Sequence, residues 1–207
     1  MPDMTVYFDD EPTDLAADNL AALLETASDR LTADGRIIVE VVLDDEPFDF
    51  ERLDEAPDIA VGSRDVRLTT ANSSELAVQT LYALQDAMEG LRETQNLAAE
   101  KLQEDKPAEA MQTLHQALEV WMQAQQAVLD SARVGGIDLE AIKVADRPAS
   151  EIINRLVEML HELKDTVEAG DTVALSDALA YEWPDMIDRW QQLVGALIHR
   201  LETSAES

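Results

Sequence analysis

The chain has 207 residues, of which 44 are acidic and 15 basic, for a formal charge of -29; 46% are hydrophobic, none is cysteine, and mean hydropathy is -0.20. It is long enough for one large core or two small ones. Disulfides and thiolate metal sites are excluded. Nucleic acid and anionic membrane are excluded as partners on charge, since phosphate binding needs Lys and Arg to displace counterions.

The acidity is spread along the chain: 19 acidic and 5 basic residues precede Ala71, and lysine occurs only at Lys101, Lys106, Lys143 and Lys164. A solvated surface suited to a saline setting accounts for this. The alternative is a surface that selects a basic protein partner. No apolar run approaches the roughly 20 residues that cross a bilayer, and Asp3, Asp9 and Asp10 leave no basic leader region, so the expected location is cytoplasmic.

In chain order, Thr5 to Phe8 is β-prone, and Glu11-Pro12-Thr13-Asp14 reads as a turn with Thr13 capping a helix from Leu15 to about Thr32. Asp34-Gly35 stops that helix. Arg36 to Leu43, RIIVEVVL, is the strongest strand, with Ile37, Val39, Val41 and Leu43 on one face and Ile38, Glu40, Val42 and Asp44 on the other. Asp44 to Pro47 is a turn, Phe48 to Phe50 a brief return strand, and Val66 to Thr69 a final strand. Strand signals stop at Thr70, so residues 1–71 read as a small β-α-β-β-β domain.

Residues 72–207 read as an antiparallel four-helix bundle, which makes the expected fold class α+β. The first of these helices, Asn72 to Leu102, has a seam at Ala77, Leu81, Leu84, Met88, Leu91, Ala98 and Leu102 that only Gln95 interrupts, and Asn72 and Glu75 have capping-box spacing. Glu104 to Pro107 turns the chain into a helix carrying Met111, Leu114, Leu118, Trp121 and Val128, which ends near Gly135-Gly136. Ile137 to Arg147 is an irregular connection. Pro148 opens a helix with a seam at Ile152, Leu156, Leu160, Leu163 and Val167, closed by Ala169-Gly170-Asp171. The last helix carries Leu175, Leu179, Trp183, Met186, Trp190, Val194, Leu197 and Leu201, and Pro184 should bend or split it near Ala180. Glu202 to Ser207 reads as a frayed tail. The short turns make the helices two antiparallel hairpins, Asn72 to Arg133 and Pro148 to Leu201.

No catalytic constellation emerges. Glu158 and His161 have the Glu-x-x-His spacing of di-metal bundles, but the seam turns both outward, and neither His115 nor His199 has an acidic residue three positions earlier. Gly135-Gly136 lacks the Lys and hydroxyl of a phosphate loop, and Ser73 and Ser74 are explained by capping. No metal and no cofactor is expected. Trp121, Trp183 and Trp190 fall on apolar stripes and read as core; Trp183, directly before Pro184, is the candidate partner-binding residue if a groove opens at the bend. Ile38 and Val42 are the other two partner-binding candidates. Two β-branched side chains on the second face of a small sheet need a cover, either the helices of the same chain or a second copy in a symmetric homodimer.

Leu81-Tyr82 early in a long helix, the acidic turn at Glu104-Asp105, the stripe from Ala110 to Leu118 and the Ala169-Gly170-Asp171 turn into a last helix resemble the flagellar export chaperones that hold flagellin. The resemblance covers about Asn72 to Leu201. It implies an antiparallel helical bundle that binds a protein partner, and it transfers no partner-binding residue; the N-terminal domain is foreign to that family. The functional expectation is a non-enzymatic protein-interaction module, chaperone- or adaptor-like. The alternative is an enzyme or small-molecule binder with a site in the cleft between the two domains.

With a formal charge of -29, like-charge repulsion opposes the compact state at low salt and is screened within about 10 Å at 0.1 M. The melting temperature should therefore rise between about 10 mM and 500 mM NaCl; a flat or falling trend would show that repulsion does not control stability.

Overall fold

The computed structural model describes residues 5–205. The chain is a mixed α+β protein whose contacts divide it into two compact units, Met1–Leu76 and Ala77–Ser207. Asp3 and the last two residues of the expected tail lie outside the described residues.

The first unit holds a five-stranded sheet made of β1 (Thr5–Phe8), β2 (Glu11–Thr13), β3 (Arg36–Leu43), β4 (Glu46–Phe48) and β5 (Asp65–Asn72), with α1 (Leu20–Ala33) between β2 and β3 and a 3-10 segment over Phe50–Asp58. The strand order is β2-β1-β5-β3-β4; β1 and β5 are parallel and the other pairs antiparallel. The sheet thus has one strand more than expected. Glu11 to Thr13, read as a turn, is a strand because the chain already reverses at Asp9-Asp10, both with positive φ (48° and 69°) as a two-residue hairpin requires. Thr13 accordingly does not cap α1. Asn19 does, its Oδ1 accepting from the Ala22 N–H at 2.9 Å.

The sequence Asp-Asp-Glu-Pro occurs twice, at residues 9–12 and 44–47, and both copies do the same work. Asp44 and Asp45 also have positive φ, 51° and 67°. Asp9 donates its N–H to the Leu68 carbonyl at 3.0 Å and accepts from the Thr70 N–H at 2.7 Å; Asp44 donates to the Asp65 carbonyl at 2.9 Å and accepts from the Asp65 N–H at 3.0 Å. Each hairpin turn therefore grips one end of the central strand β5. At the Asp9 end, Arg36 Nη2 reaches Asp9 Oδ2 at 2.8 Å and its Nε reaches Thr70 Oγ1 at 2.8 Å, while the Thr70 hydroxyl donates to Asp9 at 2.7 Å.

One face of the sheet packs Val6, Val41, Leu43, Val66 and Leu68 against Leu20, Leu23 and Ala27 of α1. The simple alternation expected for β3 fails, because the register shifts between Ile38 and Glu40, where a β-bulge leaves Val39 unpaired. Ile37 and Val39 are consequently 36% and 38% exposed, while Ile38 packs on the core of its own unit. Ile38 and Val42 do not share a face.

The second unit is built from α2 (Ser73–Gln103, whose first residues belong to the first unit), α3 (Pro107–Val134), α4 (Ala149–Ala169), α5 (Thr172–Asp177) and α6 (Trp183–Ala205). Asn72 starts α2, its Oδ1 accepting from the N–H groups of Ser74 and Glu75 at 2.9 and 3.1 Å. Gly170, with φ 68°, ends α4. The connection after α3 is not wholly irregular: β6 (Lys143–Val144) and β7 (Arg147–Pro148) form a hairpin around Ala145-Asp146, again with two positive φ values, so strands do occur after Asn72. The expected tail is helical through Ala205.

All seam positions of α2 are buried, Gln95 included. On α4 the buried stripe runs through Ile152, Ile153, Leu156, Met159 and Leu163 rather than Leu160 and Val167. The centre of the unit is aromatic: Trp121 lies 5.6 Å from Trp183 and 5.7 Å from Trp190 between ring centroids, the second pair edge-on at 82°. Such pairs contribute about 0.5–1.5 kcal/mol beyond area burial.

The hydrogen bonds from the Thr70 hydroxyl and N–H, with the Arg36 charge beside them, hold the Asp9 carboxyl below its ordinary value of 3.8. A carboxyl depressed on folding stabilises the fold above its unfolded pKa and loses that contribution as pH falls through the folded one. Asn tolerates the left-handed backbone, so Asp9→Asn removes the charge and one acceptor without straining the turn. Urea unfolding should find this variant less stable than wild type at neutral pH, with the gap narrowing below about pH 3.8. A gap of constant size would place its cause elsewhere.

Candidate functional site

The last helical stretch is not uniformly α. Between α5 and α6 the residues Ala178–Glu182 form a π turn, in which the Trp183 N–H donates to the Ala178 carbonyl five residues back. Pro184 gives the reason. An α-helix would press its ring onto the Ala180 carbonyl and find no N–H to return, whereas a wider turn takes up one extra residue and keeps the chain continuous. The core side chains before it, Leu175, Leu179 and Trp183, are accordingly spaced by four and four. From α2, Arg92 pairs with Asp188 and donates to the Pro184 carbonyl at 3.3 Å, holding the segment from behind.

A groove lies between the wide turn and α4. Two adjoining hollows of about 260 and 170 Å³ share Met159 and Glu182. Arg155, Tyr181, Asp185, Met186 and Arg189 complete the first, and Glu162, Leu163, Thr166, Ala174, Ala178 and Trp183 the second. Buried Met159 and Met186 lie at the centre of the floor, and the surface that the hollows expose is at least as polar as it is apolar. Tyr181 stands on the rim with 75% of its surface exposed. Arg155 is committed to its own helix, donating to Glu162 at 3.0 Å and Glu158 at 3.2 Å, and these bonds, Glu162 first, raise its pKa. Among the described residues the side chains of Arg189, Glu182 and Asp185 make no ion pair or hydrogen bond.

Of the three partner-binding candidates, Trp183 is 2% exposed and belongs to the aromatic core, where only its margin reaches the groove. Val42 is half-buried on the sheet face opposite Ile38, paired with Arg67 and Pro47. The structure does not bring Ile38 and Val42 together. Glu158, His115, His161 and His199 are exposed, and among the described residues no group of three or more His, Asp or Glu is arranged to hold a metal ion. No helix of the described residues is long and apolar enough to cross a membrane.

The groove residues Met159, Tyr181, Glu182 and Arg189 were not among the sequence-based candidates. Pro184 marked the place, and the spacing of Leu179 and Trp183 already set Tyr181 off the core face, but the π turn beside it has no reliable sequence signature.

A family model, the domain of unknown function DUF8042, matches residues 79–193. The chain belongs to that family, and the matched stretch contains every groove residue. No curated protein and no solved structure matches the chain.

Rim and core residues should separate cleanly in urea unfolding. Tyr181→Ala should leave stability within about 0.5 kcal/mol of wild type. Trp183→Ala, which empties part of the aromatic core, should cost about 3–5 kcal/mol. Equal losses would mean that Tyr181 is part of the packing.

Proposed function

We propose that the protein is a non-enzymatic interaction module, chaperone- or adaptor-like, whose second unit is an antiparallel four-helix bundle that holds a partner segment in the groove beside the π turn. The antiparallel arrangement is supported by three contacts: the Tyr82 hydroxyl with Glu202 at 3.0 Å, Arg92 with Asp188, and Gln103 Nε2 with Ser176 Oγ at 3.1 Å. Their residue numbers rise along α2 while they fall along α5 and α6.

The observation that carries the reading is the groove itself. A methionine floor adapts to apolar side chains of different shape, and an aromatic ring left in water on its rim has its largest use on docking. The groove is open and long rather than deep, which suits a chain segment better than a small molecule.

Photo-crosslinking in cells of the source organism tests the proposal. Benzoylphenylalanine in place of Tyr181 should give a discrete adduct with another polypeptide, and the same substitution at Met122, exposed on α3, should not. No adduct at 181, or the same adducts at both positions, would overturn it.

A further inference from the structure

We infer that the occupant of this groove is a basic amphipathic helix, about three turns long; the inference rests on the interaction reading and adds the partner's chemistry. Along α4 the groove runs from Arg155 to Thr166, about 16 Å at 1.5 Å per residue, which matches eleven residues of a docked helix. Its walls are helices, whose backbone groups are already engaged. An extended peptide would find no strand edge to pair with there, whereas a helix satisfies its own backbone and can set a few apolar side chains into the hollows over Met159 and Met186 while its polar face meets the charged rim.

Charge decides the other face of that helix. Glu162, Glu182 and Asp185 rim the groove, and Glu182 and Asp185 have no cation of their own. Arg155 cannot neutralise them, since Glu158 and Glu162 already share it. The chain as a whole adds a field of -29, which draws basic segments and repels acidic ones. Arg189 stands at one end alone. It disfavours Lys or Arg there, so the groove has a polarity: the basic residues of the ligand gather toward Glu182, away from Arg189.

The probe is a 14-residue peptide of leucine and lysine at helical spacing, titrated calorimetrically into the full chain at physiological salt, beside a leucine-glutamate peptide of the same pattern. The basic peptide should bind one to one. Glu182→Lys with Asp185→Lys should weaken it at least about tenfold, and Glu93→Lys with Glu100→Lys, exposed residues of α2 that change the net charge equally, less than about twofold. Equal weakening by the two pairs would overturn the inference, since attraction would then be to the whole acidic surface. Equal binding of the acidic peptide would overturn the charge assignment. If the basic peptide fails to bind while Tyr181 still crosslinks a partner, the basic helix is wrong and the interaction reading stands; if both fail, both are wrong.

Discussion

The second unit depends on three indole rings meeting at one point. Trp121 from α3 stands between Trp183 and Trp190 from α6, all of them essentially out of water. Burying three of the largest side chains together provides a large hydrophobic contribution, but at a cost: the Nε1–H groups of Trp121 and Trp190 and the Oε1 of Gln95, 1% exposed on α2, have no partner. An unpaired buried polar atom costs about 1–3 kcal/mol, and the burial of the rings outweighs it. The cluster also constrains the chain outside it. Trp183 must point inward although Pro184 follows it, and the π turn is the conformation that allows both.

That constraint links core to surface. Leu179 and Trp183, four apart, stay in the core while Tyr181 and Glu182, between them, face outward across the π turn. The groove lies beside the indole and the proline, and its floor is the outer margin of the same core. A binding surface made this way is stiff on the α6 side, where Arg92 braces it from α2, and adaptable where the methionines lie.

Much of this was legible in the sequence. The seam of α2 is buried position by position, since a period of four and three leaves one solution for a helix in water. The strength of Arg36 to Leu43 as a strand was equally plain, but its faces were not, because one bulged residue at Val39 inverts the alternation and no composition signal marks it. Two of the three hairpin turns, at Asp9-Asp10 and Ala145-Asp146, were missed for a different reason, while the one at Asp44-Asp45 was read as a turn. The left-handed residues of the missed turns are Asp-Asp and Ala-Asp rather than the Asn-Gly pair that usually announces such turns, and Asp9 is held there by hydrogen bonds to a strand far off in sequence. The groove was half legible: Pro184 located the disturbance, and the structure supplied its direction.

The repeated Asp-Asp-Glu-Pro segment has a consequence for the sheet as a whole. By turning at its two aspartates, each copy sets its proline in a three-residue strand, Pro12 in β2 and Pro47 in β4, and these are the two outermost strands. A proline offers no N–H to an incoming chain, and a glutamate beside it adds a charge. Both margins of the sheet are therefore closed to templated growth. A domain rich in β-branched residues is protected from edge-to-edge aggregation by the motif that folds its hairpins.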